Sequence, residues 1–147
     1  YVEVDIVGPA EENYLIKLKE ILNSEKIYGK VNFLPPIYDI KEKIRKIDSC
    51  RVFVLPSKRE GMSVALIEAL ARKRIVIASD NPAAKDIIKD GKNGFLFKIG
   101  DEKELAEKID LALSGKHDKM RSEARKSVGK FSWDKVIKKL EALIKGK

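Results

Sequence analysis

Five short apolar runs alternate with segments of helical spacing along this chain, and that alternation limits the possible folds more than any other feature. The runs are mostly bounded by Pro or Gly, as β-strands are. They cover residues 2–7, 31–34, 52–55, 75–78 and 95–97. The third and fourth runs contain no polar residue, which predicts strands buried on both faces of a parallel sheet. The sequence therefore predicts an α/β fold, a Rossmann-like parallel sheet with helices on both faces.

The segments between the runs place apolar residues three or four positions apart, which predicts helices. Three of these helices cover residues 11–22, 63–72 and 83–88, and two more begin at Asp39 and Asp101, whose side chains can cap them. From about residue 117 the chain is predicted to be helical and polar. Its apolar contacts are expected from Trp133, Val136, Ile137, Leu140 and Leu143. The length of 147 residues predicts a single domain, residues 1–147.

The composition excludes several classes of protein. The single cysteine, Cys50, rules out an internal disulfide, and with the single histidine, His117, it cannot form a thiolate–imidazole zinc site. No apolar run approaches the roughly 20 residues that a membrane-spanning helix needs. The first residues lack the basic start and apolar centre of a signal peptide. The prediction is a cytoplasmic protein, with the inner face of the membrane as a further location.

The net charge of +8 is unevenly distributed, because most of the basic surplus lies in residues 116–147. Two interpretations stay open. The segment is either a solvated lysine-rich surface or a region attracted to anionic lipid head groups or to an anionic acceptor. Nucleic acid is not an expected partner, because the basic residues are not interleaved with aromatic residues.

One loop has residues suited to binding a ligand, and it follows the third apolar run. Parallel sheets bind ligands beyond the carboxyl ends of their strands. The loop enters a helix at about Ser63, so the backbone amides of residues 61–64 are expected to be free and to suit a phosphate. Glu60 precedes these amides, and Glu68 follows them by roughly 7–8 Å along the helix. Spacing alone leaves a second interpretation open, in which Glu60 caps the helix and Glu68 lies on its surface.

Several motifs occur in a fixed order around this loop: Pro56-Ser57, Glu60-Gly61-Met62-Ser63, Glu68-Ala69-Leu70-Ala71, Val76-Ile77-Ala78-Ser79-Asp80 and Asp90-Gly91-Lys92-Asn93-Gly94-Phe95-Leu96. This ordered set resembles the C-terminal domain of retaining GT-B glycosyltransferases of the family 4, or group 1, type. That family places two glutamates with seven residues between them, as Glu60 and Glu68 stand here. The resemblance extends from Val31 to Trp133 and so covers nearly the whole chain.

The resemblance implies a role for each residue of the loop. Glu60, as the catalytic residue, would contact hydroxyls of the donor sugar, and Glu68 would hold the ribose hydroxyls. The backbone amides would meet the sugar and the diphosphate, and a residue after the second strand would pack against the base. The implied donor-binding residues are Gly61, Met62, Ser63, Val64, Glu68 and Ile37.

The implied reaction is transfer of a sugar from a UDP- or GDP-type donor to an acceptor hydroxyl, with retention at the anomeric carbon. No metal and no cofactor are expected. The family's domain usually begins with one more strand and helix, so the chain is expected to be a fragment that lacks these and the N-terminal acceptor domain. A glycan or lipid-linked acceptor would bind to that missing domain, and this chain alone would have little or no activity.

The chain departs from the family pattern at three places. Lys73 and Ile75 stand where a Gly and a Pro are usual, Pro82-Ala83 replaces a Gly-Gly pair, and Pro35 replaces a Gly. An alternative therefore stays open, in which the chain is a non-catalytic nucleotide-sugar-binding or interaction domain of the same fold.

Overall fold

A computed structural model describes residues 2–115 and 117–146, which form five strands and seven α-helices, the last three of them after the fifth strand. The chain divides after Arg45, within α2, into two compact units. The elements in order are β1 Val4–Val7, α1 Glu12–Ser24, β2 Val31–Leu34, α2 Ile40–Ser49, β3 Val52–Leu55, α3 Val64–Ala71, β4 Ile75–Ser79, α4 Pro82–Ile87, β5 Phe95–Phe97, α5 Glu102–Leu113, α6 Asp118–Val128 and α7 Trp133–Ile144.

The first unit contains a two-stranded parallel sheet. β1 pairs with β2 from Val4 opposite Val31 to Val7 opposite Leu34. Within this ladder, Asn32 Nδ2 donates a side-chain hydrogen bond to Asp5 Oδ1, on the residue opposite, at 2.9 Å. α1 connects the two strands, as a parallel crossover requires.

The second unit contains a three-stranded parallel sheet with β4 in the centre. All five residues of β4 are buried, as the apolar run predicts. Its side chains alternate between two apolar clusters, one on each face of the sheet. Val76 and Ala78 pack with residues of α3, α4 and α6, whereas Ile75 and Ile77 pack with residues of β5 and α5. The predicted parallel sheet with helices on both faces is confirmed.

The strands form two separate ladders, β1–β2 and β3–β4–β5, where the sequence predicts one sheet. Each strand finds its hydrogen-bond partner within its own unit. Apolar runs identify strands but contain no information about which strands are neighbours, because the pairing depends on the path of the connecting segments. The strand bounds themselves agree with the prediction to within two residues.

The apolar side chains of α7 do not form the contacts that the sequence predicts, and this prediction is wrong. Trp133, Val136, Ile137, Leu140 and Leu143 are between 43% and 78% exposed. In the described part of the chain, the last side chains that belong to the apolar clusters come from α6 and from the short 3₁₀ turn Gly129–Phe131. The amphipathic pattern of α7 is present, but its apolar face lies on the surface. None of the helices in the described ranges is both long and apolar enough to span a bilayer.

Arginines hold together the amino-terminal edge of the second sheet. Arg72, after α3, donates from Nε to Asp48 Oδ1 at 2.8 Å and forms an ion pair with the same carboxylate, and this holds the pKa of Asp48 below its usual range. Arg74 Nη1 donates to the backbone oxygens of Asp48 at 3.0 Å and Cys50 at 3.2 Å. Cys50 is half-buried, and this burial raises the pKa of its thiol.

The end of α3 explains one departure from the family pattern. The Lys73 amide donates to Leu70 O and the Arg74 amide to Ala69 O, both at 3.0 Å, which is the Schellman arrangement. Lys73 has φ of +58°, the left-handed region in which Gly is favoured and a side chain is strained. The family's usual Gly at this position therefore has a conformational reason, and Lys73 satisfies the same geometry at a cost.

We predict that Lys73→Gly raises the free energy of unfolding by about 1 kcal/mol, because it removes the side-chain strain of the left-handed conformation. Arg125→Gly is the matched control, since it removes an exposed basic residue from inside α6, where Gly should lower the free energy by about 1 kcal/mol. Urea unfolding monitored by circular dichroism measures both. A loss of stability in both variants would contradict the assigned strain.

Candidate functional site

The segment between β3 and α3, residues 56–63, forms the candidate site. β3 ends at Leu55, and α3 begins at Val64, so the loop lies at the carboxyl edge of the parallel sheet. Ser63 is the residue before the helix, with extended backbone angles and only 4% exposure, and its side chain makes no capping hydrogen bond. Gly61 and Met62, by contrast, are exposed. This edge is where α/β sheets bind ligands.

The backbone amides at the start of α3 are only partly as predicted. The Val64 amide donates to Met62 O at 3.1 Å, so the expectation of a free amide is wrong for Val64. The tight turn before the helix brings these two groups together. Within the part of the chain that the structure describes, the amides of Gly61, Met62 and Ser63 donate no hydrogen bond to another protein group. Three adjacent free amides at the positive end of a helix can bind an anion.

The two carboxylates lie on either side of these amides along the chain. Glu60 is partly buried and directly precedes Gly61. Glu68 is the fifth residue of α3, also partly buried, and one helical turn after the exposed Val64. The buried face of the helix is formed by Leu66, Ala69 and Leu70, so Glu68 lies on the side away from the core. Glu68 is about 7.5 Å from Ser63 along the helix axis.

The neighbouring loop, between β4 and α4, is held to the loop after β5 by Asp80. The Asp80 amide donates to Phe97 O at 2.9 Å, and Asp80 Oδ1 accepts from the Ile99 amide at 3.2 Å. Asp80 Oδ2 forms an ion pair with Lys85 Nζ at 3.0 Å. The hydrogen bond from Lys85, followed by that from Ile99, lowers the pKa of Asp80. Asp80 is therefore a carboxylate at neutral pH and links two loops at one edge of the sheet.

Asn81 connects the same loop to the candidate site, and the sequence analysis did not select it. Its side chain is 1% exposed. Asn81 Oδ1 accepts from the Ala84 amide, and Nδ2 donates to the backbone oxygen of Ser57, both at 2.9 Å. An Asn followed by Pro before a helix is a recognisable capping pattern. The contact with Ser57, however, could not be predicted from that pattern.

Pro82 and Ala83, which replace the usual Gly-Gly pair, are accommodated in different ways. Pro82 is exposed at the first position of α4, where a helix needs no backbone N–H, and Ala83 is buried in the core. Ile37 belongs to the first unit, between β2 and α2, and is partly buried. Its predicted contact with the base stays a prediction.

Groups of three or more His, Cys, Asp or Glu side chains that could hold a metal ion are not present among residues 2–115 and 117–146. The candidate site in the second unit comprises backbone amides and two carboxylates, and Asn81 contacts its loop through the backbone oxygen of Ser57. Such an arrangement can bind an anion at the helix end and hydroxyl groups at each carboxylate.

Comparison with known proteins gives relatives over most of the chain. It is 35% identical over 108 residues to N,N'-diacetylbacillosaminyl-diphospho-undecaprenol alpha-1,3-N-acetylgalactosaminyltransferase of Campylobacter jejuni, covering 74% of this chain and 27% of that protein. The structure superposes on HepE of Anabaena, solved in complex with UDP, with a TM-score of 0.86 and 22% identity, covering 99% of this chain and 41% of HepE.

A third comparison is with the C-terminal domain of LpcC, a glycosyl transferase group 1 family protein from Francisella tularensis. The TM-score is 0.75 at 18% identity, and the match covers 87% of this chain and 84% of that domain. The chain spans about a quarter of the length of the Campylobacter jejuni relative and about two fifths of HepE.

The family model for "Glycosyl transferases group 1" matches residues 2–130. This range includes the whole candidate site and all five strands. The solved relatives have the same α/β fold with parallel strands and flanking helices. Because the match extends over most of its length, the chain belongs to the group 1 glycosyl transferases.

Proposed function

We propose that this chain is the donor-binding part of a retaining glycosyltransferase. The reaction moves a sugar from a nucleotide diphosphate sugar to an acceptor hydroxyl, with retention at the anomeric carbon. The observation that carries the proposal is the loop 56–63, where free amides at the start of α3 stand between Glu60 and Glu68 in the chain. Family membership supports sugar transfer, and this loop has the groups that a donor needs.

In the proposed complex, the amides of Gly61, Met62 and Ser63 bind the diphosphate end of the donor. Hydrogen bonds and the helix dipole stabilise the negative charge that grows on the leaving diphosphate as the sugar departs. Glu60 accepts hydrogen bonds from the sugar hydroxyls, and Glu68 accepts them from the ribose hydroxyls. UDP is the first nucleotide to test, because HepE was crystallised with UDP.

The acceptor site is proposed to lie outside this chain, which spans only a fraction of its relatives. A glycan or a lipid-linked acceptor fits the proposal, and the name of the Campylobacter jejuni relative specifies a diphospho-undecaprenol substrate. A cytoplasmic location at the inner face of the membrane is consistent with such an acceptor. Nucleic acid is not proposed as a partner.

A second candidate function is binding of a nucleotide sugar without catalysis. Pro82 and Ala83 favour it, because side chains stand where the family's Gly-Gly pair leaves open backbone. An activity measurement on a longer form of the protein, which includes the acceptor half, distinguishes the two functions. Catalysis would be supported if the longer protein turns over the donor and Glu60→Ala abolishes that turnover. Binding of the donor without turnover would support the second function.

We predict that Glu68→Ala weakens the binding of UDP by roughly 10- to 100-fold, because a charged hydrogen-bond acceptor for the ribose is lost. Glu60→Ala should leave UDP affinity nearly unchanged and remove the additional affinity of a UDP-sugar over UDP. Ligand-observed NMR and calorimetry of this chain with UDP, GDP, ADP and the matching nucleotide sugars measure these effects.

Glu107→Ala serves as the control for these variants, since it removes an exposed glutamate from α5 at a position outside the loop. It should bind every ligand as the unchanged protein does. Equal losses of UDP and UDP-sugar affinity in both Glu60→Ala and Glu68→Ala would contradict the proposed division between sugar and ribose.

Donor binding is also proposed to be independent of metal ions, because helix amides neutralise the diphosphate in place of a cation. We predict that the dissociation constant for UDP is the same in EDTA and in millimolar Mg²⁺. Calorimetric titration under both conditions measures it. A severalfold loss of affinity in EDTA that Mg²⁺ restores would contradict this part of the proposal.

Peripheral contact with an anionic membrane is proposed for α7. Its exposed apolar face carries Trp133, Leu140 and Leu143, and the other face carries Lys135, Lys138 and Lys139. An amphipathic helix with lysines on its polar face can lie in the interface of an anionic bilayer. The apolar face then enters the acyl boundary while the lysines remain near the head groups.

Trp133 is the single tryptophan of the chain and reports on this contact. We predict a blue shift of its fluorescence with vesicles that contain phosphatidylglycerol, a weaker shift in high salt, and none with neutral phosphatidylcholine vesicles. Leu140→Asp should abolish the shift. Absence of a shift with anionic vesicles would contradict membrane contact.

A further inference from the structure

The side chain of Asn81 joins two loops that both end at the carboxyl edge of the sheet. Asn81 Nδ2 donates to Ser57 O at 2.9 Å, across 24 positions of sequence. Within the described ranges, this is the only hydrogen bond that reaches the backbone of residues 56–61 from another element. We propose that Asn81 is a positioning residue, which acts through Ser57 to place Glu60 and the amides of Gly61, Met62 and Ser63. The inference rests on the proposed function of that loop.

Asn81 is held firmly enough to position another segment. The following Pro82 restricts its backbone to the extended region, and Asn81 has φ of −68° and ψ of 160°. Its Oδ1 is engaged by the Ala84 amide, which fixes the orientation of the carboxamide. The remaining NH₂ group then points at Ser57. Because the side chain is buried, a lost partner would not be replaced by bulk water, so the hydrogen bond has a structural consequence.

The position of Ser57 makes this contact relevant to the site. β3 ends two residues before Ser57, and Glu60 follows three residues after it. A carbonyl fixed at Ser57 shortens the free segment between the sheet and α3 to residues 58–63. Asp80, the neighbour of Asn81, holds the loop after β5 through the Ile99 amide. The β4–α4 loop therefore anchors two neighbouring loops, the one after β3 through Asn81 and the one after β5 through Asp80.

A second buried asparagine provides a matched control. Asn93 is 3% exposed, accepts from the Lys89 amide at 2.7 Å and donates to Ile87 O at 3.0 Å. Its hydrogen bonds are of the same two kinds as those of Asn81. Asn93 precedes β5, however, and so lies toward the amino-terminal edge of the sheet, whereas Ser57 follows β3 at the carboxyl edge. Asn93 should therefore affect stability without affecting the loop.

The test compares Asn81→Asp, Asn81→Ser and Asn93→Asp in the full chain. Asp and Ser both keep an oxygen that can cap α4, and both remove the Nδ2 group that donates to Ser57. Hydrogen exchange measured by NMR reports on the amides of residues 58–63, and calorimetry reports on UDP affinity. We expect faster exchange in this loop and a three- to tenfold loss of UDP affinity in both Asn81 variants. Amides of β4 should keep their protection.

Each outcome decides the inference. Loop exchange that is unchanged in both Asn81 variants would overturn it, and so would equal loop effects in Asn93→Asp, because general destabilisation would then be the cause. If the unchanged protein binds none of UDP, GDP and ADP, the proposed function fails. Faster exchange confined to the loop in the Asn81 variants would still establish that Asn81 positions it. A loop effect together with unchanged UDP affinity would overturn the link between position and binding.

Discussion

Burial of β4 on both faces is the constraint on which the second unit depends. Ile75–Ser79 lie wholly inside, with β3 and β5 as hydrogen-bonded neighbours and helices above and below. A central strand of this kind must have apolar side chains in both directions, because neither face meets water. Since all three strands are parallel, their carboxyl ends lie at one edge. The loops that can bind a ligand are therefore brought together by the same packing that forms the core.

The two edges of this sheet have different chemistry. At the amino-terminal edge, Arg72 and Arg74 link the end of α2 to the turn after α3 through Asp48 and the carbonyl oxygens of Asp48 and Cys50. These contacts join neighbouring chain segments. At the carboxyl edge, Asp80 and Asn81 support the adjacent loops, and the amides before α3 are available for binding. The hydrogen bonds of these side chains therefore connect chain segments, whereas the free amides at the carboxyl edge form the surface that is proposed to bind the donor.

Two separate observations support the proposed donor site. One is membership of the group 1 glycosyl transferases, and the other is the geometry of the loop. The family match concerns sequence over residues 2–130, whereas the amides and carboxylates are features of one loop and one helix. The departures from the family pattern also have local explanations. Lys73 takes the left-handed conformation that a Gly would normally occupy, and Pro82 stands at the one helical position that tolerates it.

The sequence by itself determined the elements of this fold and the loop that is proposed as the donor site. Continuous apolar runs identify the strands, and Asp39 and Asp101 cap the helices that they were predicted to begin, through hydrogen bonds to the amides of Glu42 and Glu104. These features are local, since each depends on residues a few positions apart. The motif from Glu60 to Glu68 is local in the same sense.

The tertiary structure decided the features that depend on residues distant in sequence. It divided the strands between two ladders and left the apolar face of α7 exposed. It also brought Asn81 to Ser57. A sequence pattern records which side chains are suited to burial or capping. Which groups meet depends on how the connecting segments pack, because a hydrogen bond between distant residues requires both to be placed within about 3 Å.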